Sequence, residues 1–112
     1  MHLDVTAEML LSDLEYSKTD TTITQMEGII NNTKGFDKFA KHIISLNNNL
    51  KHMKAYIGMS NTKDYLKIKC DGNDAPEIKK EFHDAVRHWS DKYNVEIERL
   101  PKQETYYILG IS

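Results

Sequence analysis

Seven apolar residues, Phe36, Phe39, Ile43, Leu46, Leu50, Met53 and Ile57, recur at alternating spacings of three and four. This is a heptad a/d pattern over three repeats, and it predicts an amphipathic helix over 35–57 with Gly58 as its left-handed terminator. Lys34, Lys38, Lys41, Asn48, Lys51 and His52 take the outer positions of that helix. So regular a seam requires a partner surface, which makes helix packing the first property the chain declares.

Two shorter helical segments precede it. Thr6 can cap a helix over 7–17, with Glu8 in the first turn, where the helix dipole favours an anion, and Leu10, Leu11 and Leu14 on the buried edge. Asp20 can cap a second helix over 21–32, on which Ile23, Met26 and Ile30 keep the three-four rhythm. The turn Asn31-Asn32-Thr33-Lys34-Gly35 then joins this helix to the long one as an αα-hairpin. The longer seam outruns the shorter, so its remainder needs the rest of the fold or a second chain.

Beyond Gly58 the period changes to two. Tyr65-Leu66-Lys67-Ile68-Lys69-Cys70 alternates, with Leu66, Ile68 and Cys70 on one face and Lys67 and Lys69 on the other. Asp71-Gly72 ends this strand, and Asp74-Ala75-Pro76 reads as a helix start. Ile78, Phe82, Val86, Trp89 and Tyr93 line one face of a helix over 76–93. Val95 and Ile97 mark a second strand, Pro101–Glu104 a turn, and Thr105–Ile111 a third and most apolar strand.

A right-handed crossover makes the first two strands parallel, and the hairpin makes the third antiparallel to the second. With the third strand central, the sheet order is 1-3-2, a split β-α-β-β unit. The predicted class is therefore α+β: an N-terminal helical hairpin packed with a three-stranded sheet. It forms a single domain over 1–112, helical in 1–58 and β-α-β-β in 64–112. Tyr106 and Ile108 alternate away from Tyr107, Leu109 and Ile111, so the third strand is apolar on both faces and needs cover on both.

Composition narrows this picture. A chain of 112 residues can bury roughly two-thirds of its unfolded surface, enough for one modest core. An apolar fraction of 39% with 29% charged residues excludes a disordered chain. The single cysteine excludes an intrachain disulfide framework and fits a reducing compartment. No basic-then-apolar leader opens the sequence, and no stretch approaches the roughly 20 apolar residues of a membrane span. The expectation is a cytoplasmic protein with no membrane association.

Charge is segregated. Residues 1–34 carry two basic and six acidic side chains, residues 35–69 seven basic and two acidic, and residues 70–112 six basic and nine acidic. A basic island between acidic flanks can meet phosphate, or it can meet acidic segments of the same fold or of a partner. Its moderate charge favours the second.

Candidate chemistry is sparse. Cys70 would need a base such as His83 or His88 beside it, but it shares its strand face with Leu66 and Ile68 and reads as a packed hydrophobe. Glu77, Glu81, Asp84 and His88 share one side of the 76–93 helix; without a second ligand pair they read as a solvated stripe, not a metal site. Lys67 and Lys69, with Tyr65 and Tyr106 on the same sheet face, could stack bases and track a phosphate backbone, although Glu96 and Glu98 project to that face. No clustered glycines, Cys-x-x-Cys pair or nucleophile elbow is present.

These patterns favour a non-enzymatic interaction module that needs no cofactor or metal. It self-associates, most simply as a homodimer, in a regulatory, adaptor or assembly role. The interaction residues are Phe36, Phe39, Ile43, Leu46, Leu50, Met53 and Ile57, with Tyr106 and Ile108. The alternative is a nucleic-acid or ribosome-associated protein that uses Lys38, Lys41, Lys51, Lys67, Lys69 and Tyr65.

Overall fold

The long seam does not stay helical. In the computed structural model, which describes residues 6–71, 76–101 and 104–111, the third helix, α3, spans Phe36–Leu50. A single 3-10 turn, Lys51–Met53, follows it, and Lys54 closes the turn in the left-handed region at φ 56°. The run Asn47-Asn48-Asn49 is poor in helix propensity at this end, and the Asn47 Oδ1 accepts the Ile57 N–H at 3.0 Å, which holds the following segment extended beside the helix. Gly58 is therefore not the terminator. It lies inside a strand, β1 (Ala55–Met59), on which Ala55, Ile57 and Met59 are buried and Tyr56 is exposed. A residue four after Met53 satisfies both the helical rhythm and the inner face of this strand, so Ile57 fitted the heptad without being helical.

The remaining elements keep the expected order. Helix α1 starts as expected, the Thr6 hydroxyl accepting the Met9 N–H at 3.2 Å, but it spans Ala7–Asp13 and not 7–17, because Glu15 enters the left-handed region at φ 65°. Helix α2 spans Asp20–Asn32, but its cap is Thr19, not Asp20. Thr19 and Thr22 accept each other's backbone N–H at 3.1 and 2.9 Å, a capping box built from two threonines. Strand β2 (Leu66–Cys70), helix α4 (Pro76–Tyr93), strand β3 (Val95–Arg99) and strand β4 (Thr105–Ile111) complete the chain. The expected helix signal at Asp74, the expected strand stop at Gly72 and part of the Pro101–Glu104 turn lie outside the described residues.

The class is α+β, with a sheet of four strands, not three. Its order is β1-β2-β4-β3, and every neighbouring pair is antiparallel. Strands β2, β4 and β3 reproduce the split unit, with α4 as the crossover between the parallel β2 and β3. Strand β1 adds to the outer side of β2, pairing Ile57 with Ile68.

Helix α2 packs on α1 and β1, whereas α3 packs on β1, β4 and α4. The expected hairpin of α2 along α3 is replaced by an arrangement in which the sheet and α4 serve the long seam. Phe39 meets Trp89 of α4 edge-on, with ring centroids 6.2 Å apart, and the indole N–H donates to the His42 carbonyl at 3.0 Å. Residues from both halves of the chain form one core.

Two glycines are dictated by this packing. Gly35 begins α3 at φ 65°, where a Cβ would lie 2.9 Å from the Ile111 side chain. Gly110, at φ 137°, lets β4 approach the α2–α3 turn so closely that a Cβ would stand 2.7 Å from the Lys34 backbone. The Ile111 N–H donates to the Lys34 carbonyl at 2.8 Å across this contact.

Candidate functional site

The register of β4 decides which side chains are available to a partner. Ile68 stands opposite Tyr106 and Leu66 opposite Ile108, so Tyr106 and Ile108 face inward beneath the helices. This reverses the expected assignment for Tyr107, which shares the outer face with Lys67; beyond Ile108 a register shift breaks the alternation, and Ile111 packs against the core. A strand apolar on both faces left the choice open, and pairing with the inner residues of β2 resolves it. All seven seam residues are likewise interior, none more than 5% exposed. The chain's own α4 and sheet occupy the surface that the heptad pattern offers.

The outer face is built in two rows across the strands. One row runs Gly58, Lys67, Tyr107, Glu98, and the other runs Tyr56, Lys69, Thr105. Tyr56 is exposed, and Lys67 and Lys69 are half-buried. The Tyr107 side chain is itself buried, 7% exposed, against the β1–β2 loop: its hydroxyl lies 3.4 Å from Ser60 Oγ and 3.2 Å from Thr62 Oγ1. The Tyr65 ring leans on it at 5.8 Å between centroids. Hydrogen bonds from Ser60 and then Thr62, with Lys63 and Lys67 adding positive potential, hold the Tyr107 phenol below the usual tyrosine range.

A groove of about 280 Å3 crosses this face, lined by Ser60, Asn61, Thr62, Lys67, Lys69, Leu100, Thr105 and Tyr107. Hydroxyls and two ammonium groups over an aromatic floor can accept an oxyanion, a carboxylate or an acidic side chain. The structure thus brings together Lys67, Lys69 and Tyr65 of the expected nucleic-acid set. It does not bring Lys38, Lys41 and Lys51 to them: those belong to α3 and the turn after it, in the helical layer behind the sheet.

A second polar cluster escaped the sequence reading. His83 of α4 accepts or shares the Tyr106 hydroxyl proton at Nδ1, 2.5 Å away, while its Nε2 bonds the Glu104 carboxylate. Arg99 Nη2 lies 3.5 Å from the same carboxylate. Burial pushes the Tyr106 phenol above its usual range, opposed by the Arg99 and Arg87 guanidiniums. Tyr106 is only 4% exposed, while His83 and Glu104 are partly exposed, and the cluster ties α4 to β4. Sequence spacing carries no sign of it, because it depends on the register of β4.

Cys70 is buried, and its thiol lies 3.7 Å from the Met53 carbonyl, to which it donates. Asp84 and His88 are both exposed on α4, and no group of three metal-ligating side chains occurs among the described residues. No described helix is long and apolar enough to cross a membrane. Comparison of the chain with family models, with curated proteins and with solved structures gave no match.

Proposed function

We propose that the protein is a non-enzymatic interaction module whose working surface is the open face of the sheet. One observation carries this reading. The apolar seam is spent on the chain's own core, whereas Tyr56, Lys67, Lys69 and the Tyr107 groove remain on a four-stranded face that no described helix covers. Among the described residues the exposed large hydrophobics are Met9 and Tyr56 alone, so the surface suits a polar, reversible contact better than an obligate one.

A second reading is favoured by the groove itself. Lys67, Lys69 and the Ser60 and Thr62 hydroxyls form a setting for phosphate, which keeps a nucleic-acid ligand in play on this face alone. Backbone amide NMR tests the location. Dilution of the protein, inorganic phosphate and a single-stranded oligonucleotide are applied in turn. The resonances that move should cluster at Tyr56, Lys67, Lys69, Thr105 and Tyr107. Movement confined to α3 and α4, or none under any of the three, overturns the proposal.

A further inference from the structure

We infer that the occupant of the open face is a second copy of this chain, packed sheet against sheet about a two-fold axis that runs along β4. The inference rests on the reading of the face as a working surface and adds the partner and its orientation. Its basis is the row Lys67, Tyr107, Glu98, in which a cation on β2 and an anion on β3 flank the central tyrosine at one level of the sheet.

Among the described residues neither Lys67 nor Glu98 has an ion-pair partner in its own chain. They cannot satisfy each other, because two strand spacings of about 4.8 Å and the Tyr107 side chain separate them.

Symmetry then selects the geometry. Rotation by 180° about an axis lying in the interface along β4 exchanges the β2 and β3 sides while keeping each row at its own level. Lys67 of each copy thereby meets Glu98 of the other, twice per dimer, on either side of the axis. An axis perpendicular to the strands would instead bring Lys67 onto Lys67 and Glu98 onto Glu98. The permitted axis leaves the two sets of strands nearly aligned, as face-packed sheets commonly are.

It also carries Tyr56 past the β3 edge of the other copy, beside Leu100, which hydrogen-bonds to Thr105 in the neighbouring row. The exposed tyrosine thus gains an apolar neighbour. The other edge of the sheet needs no such cover, since Asn47 and Tyr16 already cap β1.

Sedimentation velocity over a range of concentrations, with circular dichroism as the folding control, tests this on four forms of the chain. The parent should reach dimer mass, and Lys67→Glu and Glu98→Lys should each weaken association by about tenfold or more. The double variant Lys67→Glu/Glu98→Lys should return to dimer. An equimolar mixture of the two single variants should form a heterodimer, because each presents the charge the other lacks.

A parent that stays monomeric, single variants that stay dimeric, or a double variant that stays monomeric overturns the inference. If the parent is monomeric yet the Tyr56, Lys67 and Lys69 resonances respond to phosphate or oligonucleotide, the second-copy inference fails and the working surface stands. If those resonances respond to nothing, both fail.

Discussion

The side-chain Oδ1 of Asn47 accepts the N–H of Ile57 at 3.0 Å, so a residue of α3 takes the place of a neighbouring strand at the edge of β1. Tyr16 repeats the device one pleat on, its hydroxyl accepting the Met59 N–H at 2.9 Å. An edge strand offers alternate N–H groups to any other chain, and here two of them are closed by side chains. Asn47 is itself buried, 4% exposed, so truncation leaves the Ile57 N–H without partner or water. Asn47→Ala should cost about 1–3 kcal/mol in urea unfolding. The same variant should speed Ile57 amide exchange more than that of Ile68 in the neighbouring strand. Equal acceleration at both amides would show that the loss is general and not local to the edge.

The same pair shows what was legible in the chain and what was not. Burial was readable: every seam position is interior, and so are Leu66, Ile68, Phe82, Val86 and Trp89. The element type was readable wherever one period ran alone, as in α4 and β2. It failed at 51–59, where a helical and a strand period coincide at Ile57 and the deciding signal was the asparagine run ahead of it. The faces of β4 were illegible because both are apolar, and only pairing with β2 distinguishes them. The His83–Glu104–Tyr106 cluster was illegible for the same reason. The Lys67–Tyr107–Glu98 row needs the register of three strands, although alternation alone puts Lys67 and Glu98 on one face.

Leu50 closes α3 with no exposed surface and packs in the one shared core. Leu50→Ala should destabilise the chain by about 2–5 kcal/mol, the range for emptying a buried leucine site. Because the site is filled from within the chain, the loss should be the same at micromolar and at tenfold higher protein concentration. A loss that shrinks as concentration rises would place Leu50 at an interface between chains instead.

His42 stacks on Tyr93 with centroids 3.8 Å apart and planes 14° from parallel. Burial, assisted by the Lys41 and Lys92 charges, holds its imidazole below the ordinary value of 6.5. The unfolded chain therefore takes up a proton near pH 6.5 that the folded chain resists, and stability should fall as pH drops below that value. His42→Phe keeps the stack and the backbone carbonyl that accepts the Trp89 N–H, while removing the titration. The urea midpoint of the variant should change less between pH 8 and pH 5 than that of the parent. An identical change in both would assign the acid sensitivity to other groups.

The six tyrosines should not ionise together. Tyr107 is drawn down by hydrogen bonds from Ser60 and Thr62, and Tyr106 is pushed up by burial beneath α4. Although adjacent in sequence, they face opposite sides of β4, so the two shifts have opposite signs for one structural reason. Titration of tyrosinate absorbance near 295 nm should show an early component that Tyr107→Phe removes and a late one that Tyr106→Phe removes. The late component should coincide with unfolding, because an anion at Tyr106 would be buried, and the Arg99 and Arg87 guanidiniums offset that burial only in part. If Tyr106→Phe removed the early component instead, the inward assignment of Tyr106 and the register of β4 would both be wrong.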